Sequence, residues 1–394
     1  MQYDLVFEGG GAKGFVFVGA MQEFEAMGHT HGRLLGTSAG AITAALLAAG
    51  YTSGEMLAAL KERQGDKSVF ASFMGDIPPI DRDAIKKSSM LGLLQTINLH
   101  FLPDFFEGRL DERIVRAIAN KPKLRHLFSF MEYGGWFSAD AFVTWMTGKL
   151  NSGLFDGKPR NFGAMTMAQL YSATKKDLTL VATDISDNLM LVLNHRTAPN
   201  LPVVWAVRMS MNIPMLWQEV IWKKEWGRFI GRDISGHSIV DGGVLSNFPL
   251  ELFVSGSPTV TAVMGPDASK NVIGMLIDES QEVPGVKASQ PPRAEALTDL
   301  PTVQRLGNLV NTMMGARDKM VMEAFERYVV RLPAKGYGTV EFDMEETRQE
   351  KLVAAGRNAM KSFFDDNDTR KKSLRTAAAK KTADRLAERL LTMQ

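Results

Sequence analysis

The sequence predicts an α/β fold with a mostly parallel central sheet flanked by helices, a helical insertion and a C-terminal helical tail. Three observations carry this. The first fifty residues spell strand, loop, helix, strand, turn, helix, the order that builds parallel sheets. Glycine-rich turns, "EGGGAKG" and "GTSAG", follow both of those strands. Further strand-like apolar runs recur at 178–185, 189–195, 237–243, 272–278 and 328–333.

The elements read in order as follows. "YDLVF" (3–7) is a short buried strand. "FVFVGAMQEFEAMG" (15–28) is apolar nearly all round at its start and amphipathic later, which suits a helix that begins buried and stops at Gly28. "GRLLG" (32–36) is a second strand, and "AGAITAALLAAG" (39–50) a small-residue helix able to pack closely on a sheet. Residues 52–160 read as a mainly helical insertion. Within it "MLGLLQTINLHFLPDFF" (90–106) suits either a core helix or a lid facing lipid. "EVPGVKASQPPRAEALTDLP" (282–301) is Pro-rich and reads as an exposed loop.

Residues 1–364 are expected to form the catalytic domain and 365–394 a basic tail. The tail is rich in Ala, Lys and Arg, with Leu374, Leu386, Leu390 and Leu391 as its apolar members. It reads as a helix with a basic face, either solvated or bound to an anionic membrane.

The 394 residues suffice for one large domain or two ordinary ones, and 45% hydrophobic with 23% charged residues is a globular composition. A net charge of +2 gives no reason to expect a nucleic-acid partner. With no cysteine, disulfides, cysteine-based zinc sites and cysteine nucleophiles are excluded. No signal-peptide pattern opens the chain and no apolar run reaches membrane-span length, so the expected location is cytoplasmic. Secretion routes without a cleaved signal leave no such trace.

Gly9, Gly11 and Gly14 match G-x-G-x-x-G between a strand and a helix. Alone this fits a dinucleotide loop, which then wants an acidic residue ending the second strand to bind ribose. That strand ends instead in "TSAG". "GTSAG" (36–40) is G-x-S-x-G between strand and helix, a nucleophile elbow in which Gly36 and Gly40 relieve crowding around Ser38. Ser38 read alone could also be a helix N-cap. Both motifs lie where parallel sheets place their sites. Together they suggest that the backbone N–H groups of the glycine loop face an oxyanion formed at Ser38. Lys13 would either add positive potential there or be solvated.

A serine nucleophile needs a base. His29, His31, His100, His126, His195 and His237 all lack a catalytic context. The better candidate is Asp241 in "IVDGGVLSNFP", where Gly242 and Gly243 leave room beside the carboxylate. Burial would raise its weak basicity to a useful level. A plain D-G turn is the competing reading.

"GGGAKG", "GTSAG" and "DGG" in this order resemble the patatin-like phospholipases. "RMSMNIPMLW" (208–217), "SNFP" (246–249), "ARDKM" (316–320) and "RYVVRLP" resemble further stretches of bacterial members. The resemblance spans roughly 3–335 and implies a lipid acyl hydrolase with a Ser–Asp dyad and no catalytic histidine. By position it implies Ser38 as nucleophile, Asp241 as base, and Gly9, Gly10 and Gly11 as oxyanion donors. Lys13, Gly36, Gly40 and Gly242 would be supporting residues. It implies no metal or other cofactor, a phospholipid membrane surface as substrate with peripheral attachment to it, and room for a protein or nucleotide activator. Bacterial relatives include injected toxins and immunity effectors. Met209, Met211 and Met215 fit either core packing or an acyl-chain wall. A lysophospholipase or neutral-lipid esterase would use the same dyad. A nucleotide-binding oxidoreductase or a non-catalytic membrane-binding module are the readings from other classes.

Overall fold

The computed structural model describes residues 1–98, 107–267, 269–286, 321–365 and 376–392, and side chains at 94–98 and 107–113 are left aside. Eight strands form the main sheet. They are β1 (Gln2–Phe7), β2 (Thr30–Thr37), β3 (Leu178–Asp184), β4 (Leu189–Leu193), β5 (Val220–Ile221), β6 (Ser238–Asp241), β7 (Val272–Glu282) and β8 (Val329–Lys335). β8, β7, β1, β2 and β3 lie side by side, all parallel. β4, β6 and β5 complete the sheet through antiparallel pairs. The expected α/β architecture is therefore present, with its antiparallel pairs gathered beyond β3.

Strand side chains alternate between the two faces. Tyr3, Leu5 and Phe7 of β1 join the larger core, together with α1 (Phe15–Ala26), α2 (Ala39–Ala48) and the helix Glu346–Asp365. Val6, Leu35, Val181 and Val272 join a second core with the helices Glu251–Val254, Pro258–Met264 and Ala377–Thr392. The result is three layers, helix on sheet on helix. α1 is buried on all sides from Phe15 to Met21, as its apolar start requires.

The insertion carries seven helices among its described residues, from Ser53–Leu60 to Asp140–Asn151. Part of it has a small core of its own: Ile85, Met90, Leu91, Val115, Ile118 and Phe128. Short parallel strands Gly135–Phe137 and Met215–Trp217 join it to the segment that leads into β5 and β6. Of the 90–106 stretch, Met90 and Leu91 are buried and Leu93 is half exposed. Residues 99–106, including His100, lie outside the described residues, as do most of the Pro-rich stretch, "ARDKM" and Leu374.

In the tail, Ala383, Leu386, Ala387, Leu390 and Leu391 pack into the second core, and Lys381, Arg385 and Arg389 are exposed. The apolar face that would let this helix enter a bilayer is therefore occupied by the protein itself. Among the described residues, no helix is long and apolar enough to cross a membrane.

Candidate active site

The sheet itself brings Ser38 and Asp241 together. β4 covers one edge of β3 along residues 180–184. The other edge is shared by two strands. β2 runs parallel to it as far as Thr37 opposite Val181, and β6 runs antiparallel with Asp241 opposite Ala182. The two strands thus meet end to end, and the residues at their C-terminal ends sit opposite consecutive residues of β3. A parallel β6 would carry Asp241 away from that junction.

Ser38 follows directly, at the turn from β2 into α2. Its backbone has φ 53 and ψ −119, a conformation disfavoured for a residue with a side chain. Its hydroxyl makes no capping hydrogen bond, so the N-cap reading does not describe it. Its N–H donates to Ser210 Oγ at 3.1 Å, and Ser210 donates onward to the Val181 carbonyl at 2.6 Å. The flanking glycines are required by close approach: a Cβ on Gly36 would lie 2.3 Å from the Gly40 carbonyl oxygen, and one on Gly40 would lie 2.3 Å from that of Phe7. The strain at Ser38 is held by these contacts.

Asp241 is fully buried. Its N–H donates to the Asn212 carbonyl at 2.8 Å, and its Oδ1 accepts the Gly243 N–H at 2.8 Å. Burial pushes the carboxyl up to about 7, against the opposing pull of the Gly243 N–H and the Ser38 hydroxyl. Oδ2 is buried and has no hydrogen-bond partner among the described residues. Gly242 sits where a Cβ would meet the Val181 carbonyl oxygen at 2.3 Å.

The glycine loop lies against this pair. A Cβ on Gly9 would come within 2.9 Å of Ser38 Cβ and 2.1 Å of Asn247 Oδ1. The expectation of three donors needs one correction: the Gly9 N–H donates to the Asn247 carbonyl at 3.2 Å. Among the described residues, the N–H groups of Gly10, Gly11 and Ala39 have no acceptor within the protein. Ala39 adds the first N–H of α2, at the positive end of its dipole.

The solvated alternative for Lys13 is corrected as well. The side chain is only 3% exposed, and its ammonium is paired with Glu279 and donates to Thr339 Oγ1 at 3.0 Å. It fastens the loop to the end of β7 and to the segment after β8.

Several residues here were missed in the sequence. Asn247 donates to the Gly9 carbonyl at 3.1 Å and to Glu8 Oε1 at 3.3 Å, and the buried Glu8 also accepts from the Ile277 N–H. The block 208–217 contributes polar residues as well as methionines. Buried Arg208 donates to Asn212 Oδ1 at 2.6 Å and to the Gln218 carbonyl at 2.8 Å, with burial lowering it to about 9. Asn212 Nδ2 holds the Ile239 carbonyl at 2.9 Å. Met209 and Met211 are core residues, and Met215 is half-buried. The available signal was the polar spacing Arg208, Ser210, Asn212 within an apolar block.

Each described histidine is held elsewhere. His29 packs with Tyr3, Phe24 and Phe364. Burial drives His31 down to about 4. His126 bonds the Trp136 carbonyl, and His195 stacks on Tyr171. His237 pairs with Asp184 at 2.7 Å. Asp184, Asp187 and His237 are close enough together to hold a metal ion, but their mutual pairing and the Arg232–Asp187 bridge at 2.8 Å account for their charges.

Comparison with known proteins gives a consistent picture. A family model described as patatin-like phospholipase matches residues 5–254, which include the glycine loop, Ser38 and Asp241. The chain is 26% identical over 372 residues to the Bacillus subtilis protein YqhO, described as uncharacterized, covering 92% of this chain and 98% of that one. Solved structures similar to it include VipD from Legionella pneumophila (16% identity, TM-score 0.42, 92% of this chain, 66% of that one). Another is ExoU in its complex with SpcU from the type III secretion system of Pseudomonas aeruginosa (16%, 0.37, 94% and 52%). The chain therefore spans just under two thirds and about half of the lengths of those two proteins. The match of the family model over well more than half of the sequence places this chain in the patatin-like phospholipase family.

Proposed function

We propose that this protein is a serine lipid acyl hydrolase of the phospholipase A type, working through a Ser38–Asp241 dyad. The observation that carries the reading is the end-to-end meeting of β2 and β6 on one edge of β3, with the Ser38 hydroxyl against a buried carboxyl raised to about 7. A carboxyl in that range can accept a proton near neutral pH.

In the proposed reaction Asp241 takes the hydroxyl proton as Ser38 Oγ attacks an ester carbonyl of a glycerophospholipid. The open N–H groups of Gly10 and Gly11, with Ala39, face the negative oxygen of the tetrahedral intermediate. The carbon–oxygen bond to the glycerol breaks, and the leaving oxygen takes the proton from Asp241. A lysolipid departs and an acyl-serine remains. Water then attacks, Asp241 accepts its proton and returns it to Ser38 Oγ, and a fatty acid is released.

Fatty-acid release from mixed phospholipid vesicles by wild type and Ser38→Ala tests the reading, with and without cell lysate to supply an activator. Release by wild type alone is the expected result. The released acyl chains identify the position cleaved, and lysophospholipid or neutral ester substrates identify the class preferred. Equal release by Ser38→Ala would sink the dyad.

A further inference from the structure

We propose that the exposed face of the helix Pro122–Tyr133 docks this protein on an anionic phospholipid bilayer. The choice of occupant rests on the lipid-hydrolase reading above. Leu127 and Met131, one helical turn apart, are 36% and 43% exposed, and Tyr133 at the end of the helix is 41% exposed. Leu93, on the neighbouring helix Ser89–Asn98, is 50% exposed. The inner face of the same helix is fully used, since His126, Phe128 and Ser129 are buried. Leu127 and Met131 therefore lie on the face turned away from those buried side chains.

The charges on the helix itself fit an anionic surface. Lys121 and Lys123 are exposed and Arg125 is half-buried. Glu132, the one acid between 121 and 133, accepts the Met90 N–H at 2.6 Å. Cations beside exposed apolar side chains on one helix are the pattern that lies in a bilayer interface. The tail helix presents Lys381, Arg385 and Arg389, but its leucines are buried in the second core, so it has charge without an apolar face to insert.

The helix is also seated close to the candidate site in the bonding network. Ser129 Oγ accepts from Gln218 Nε2 at 2.9 Å, and the Tyr133 carbonyl accepts the Glu219 N–H at 2.9 Å. Arg208 holds the Gln218 carbonyl and Asn212, and Asn212 accepts the Asp241 N–H. A bilayer held on this helix is thus attached to the framework that positions Asp241.

The test is co-sedimentation of the full chain carrying Ser38→Ala with vesicles of phosphatidylcholine, alone or mixed with phosphatidylglycerol. The Ser38→Ala background keeps vesicle consumption out of the readout. Stronger binding to the mixed vesicles is expected. Adding Leu127→Glu and Met131→Glu should lower the partition coefficient at least about tenfold, from the apolar area withheld and the charge reversed. Leu127→Ser with Met131→Ser repeats the test without added charge, and circular dichroism checks the fold of both. Leu154→Glu, at a 60% exposed position elsewhere in the insertion, should bind as the parent does. Unchanged binding by the double variants, no binding by the parent, or loss confined to a Lys381→Glu, Arg385→Glu, Arg389→Glu variant would overturn the proposal. Intact binding without fatty-acid release by wild type would count against the catalytic reading alone.

Discussion

Replacing Asp241 with asparagine should abolish turnover and stabilise the protein, with a gain that depends on pH. The side chain is fully buried, and its carboxyl is raised from 3.8 to about 7, chiefly by burial. Between those values the native protein holds a proton that the unfolded chain has released. Native stability therefore falls as pH rises through this window and levels off above about 7. The rise from 3.8 to about 7 sets a ceiling of roughly 4 kcal/mol on what ionised Asp241 costs the fold. Asparagine keeps an acceptor for the Gly243 N–H and never ionises. Urea unfolding of both proteins at about pH 8 and about pH 4, alongside fatty-acid release, measures the effect. Asp241→Asn should be more stable by roughly 2–4 kcal/mol at the higher pH and by nearly nothing at the lower. Other groups titrate alike in both proteins and cancel in this double difference. A gain independent of pH, or a loss at about pH 8, would refute the reasoning that burial sets this group's proton affinity.

Three further outcomes are expected. If Asp241 is the base, kcat/KM for lipid ester hydrolysis should rise with pH along an acid limb centred near 7, and a limb near the ordinary carboxylate value would mean that water reaches the dyad. Gly9→Ala should cut turnover about a hundredfold or more, because the new methyl meets Asn247 Oδ1 at 2.1 Å and Ser38 Cβ at 2.9 Å. Gly148→Ala, in the helix Asp140–Asn151 where the methyl meets nothing within 4 Å, should leave turnover alone and add about 0.5–1 kcal/mol of stability by urea unfolding.

What the sequence made legible was local. β1, the glycine loop, α1, β2 and the elbow are set by contiguous patterning, and the elbow glycines Gly36 and Gly40 are required within a few residues of chain or across the adjacent strand. Asp241 could be found from its strand end and its two glycines. The direction of β6 could not, because strand sense depends on how the chain returns to the sheet from 203–237. Lys13 was misread for a similar reason: its partners, Glu279 and Thr339, lie 266 and 326 positions away. In the block 208–217 the methionines drew attention, whereas Ser210 and Asn212 make the hydrogen bonds to the backbone of Ser38 and Asp241. The tail's leucines spelled an amphipathic helix correctly, but only the tertiary structure assigns their apolar face to the second core.

The proposed choice of an aspartate over a histidine follows from the dryness of this site. Ser38 is 3% exposed and Asp241 not at all. Burial disfavours whichever form of a group is charged, so it strengthens a carboxylate as a base and weakens an imidazole. Both effects occur in this molecule: burial lifts Asp241 to about 7 and lowers His31 to about 4. An imidazole in the Asp241 position would need a carboxylate behind it to recover its basicity, as serine triads provide. The aspartate needs only the absence of water and enough donors to hold it in place, which Gly243 and the Ser38 hydroxyl supply. The same enclosure that makes the base strong also keeps Ser38 from solvent. The docking helix Pro122–Tyr133 is tied through Gln218, Arg208 and Asn212 to the backbone of Asp241.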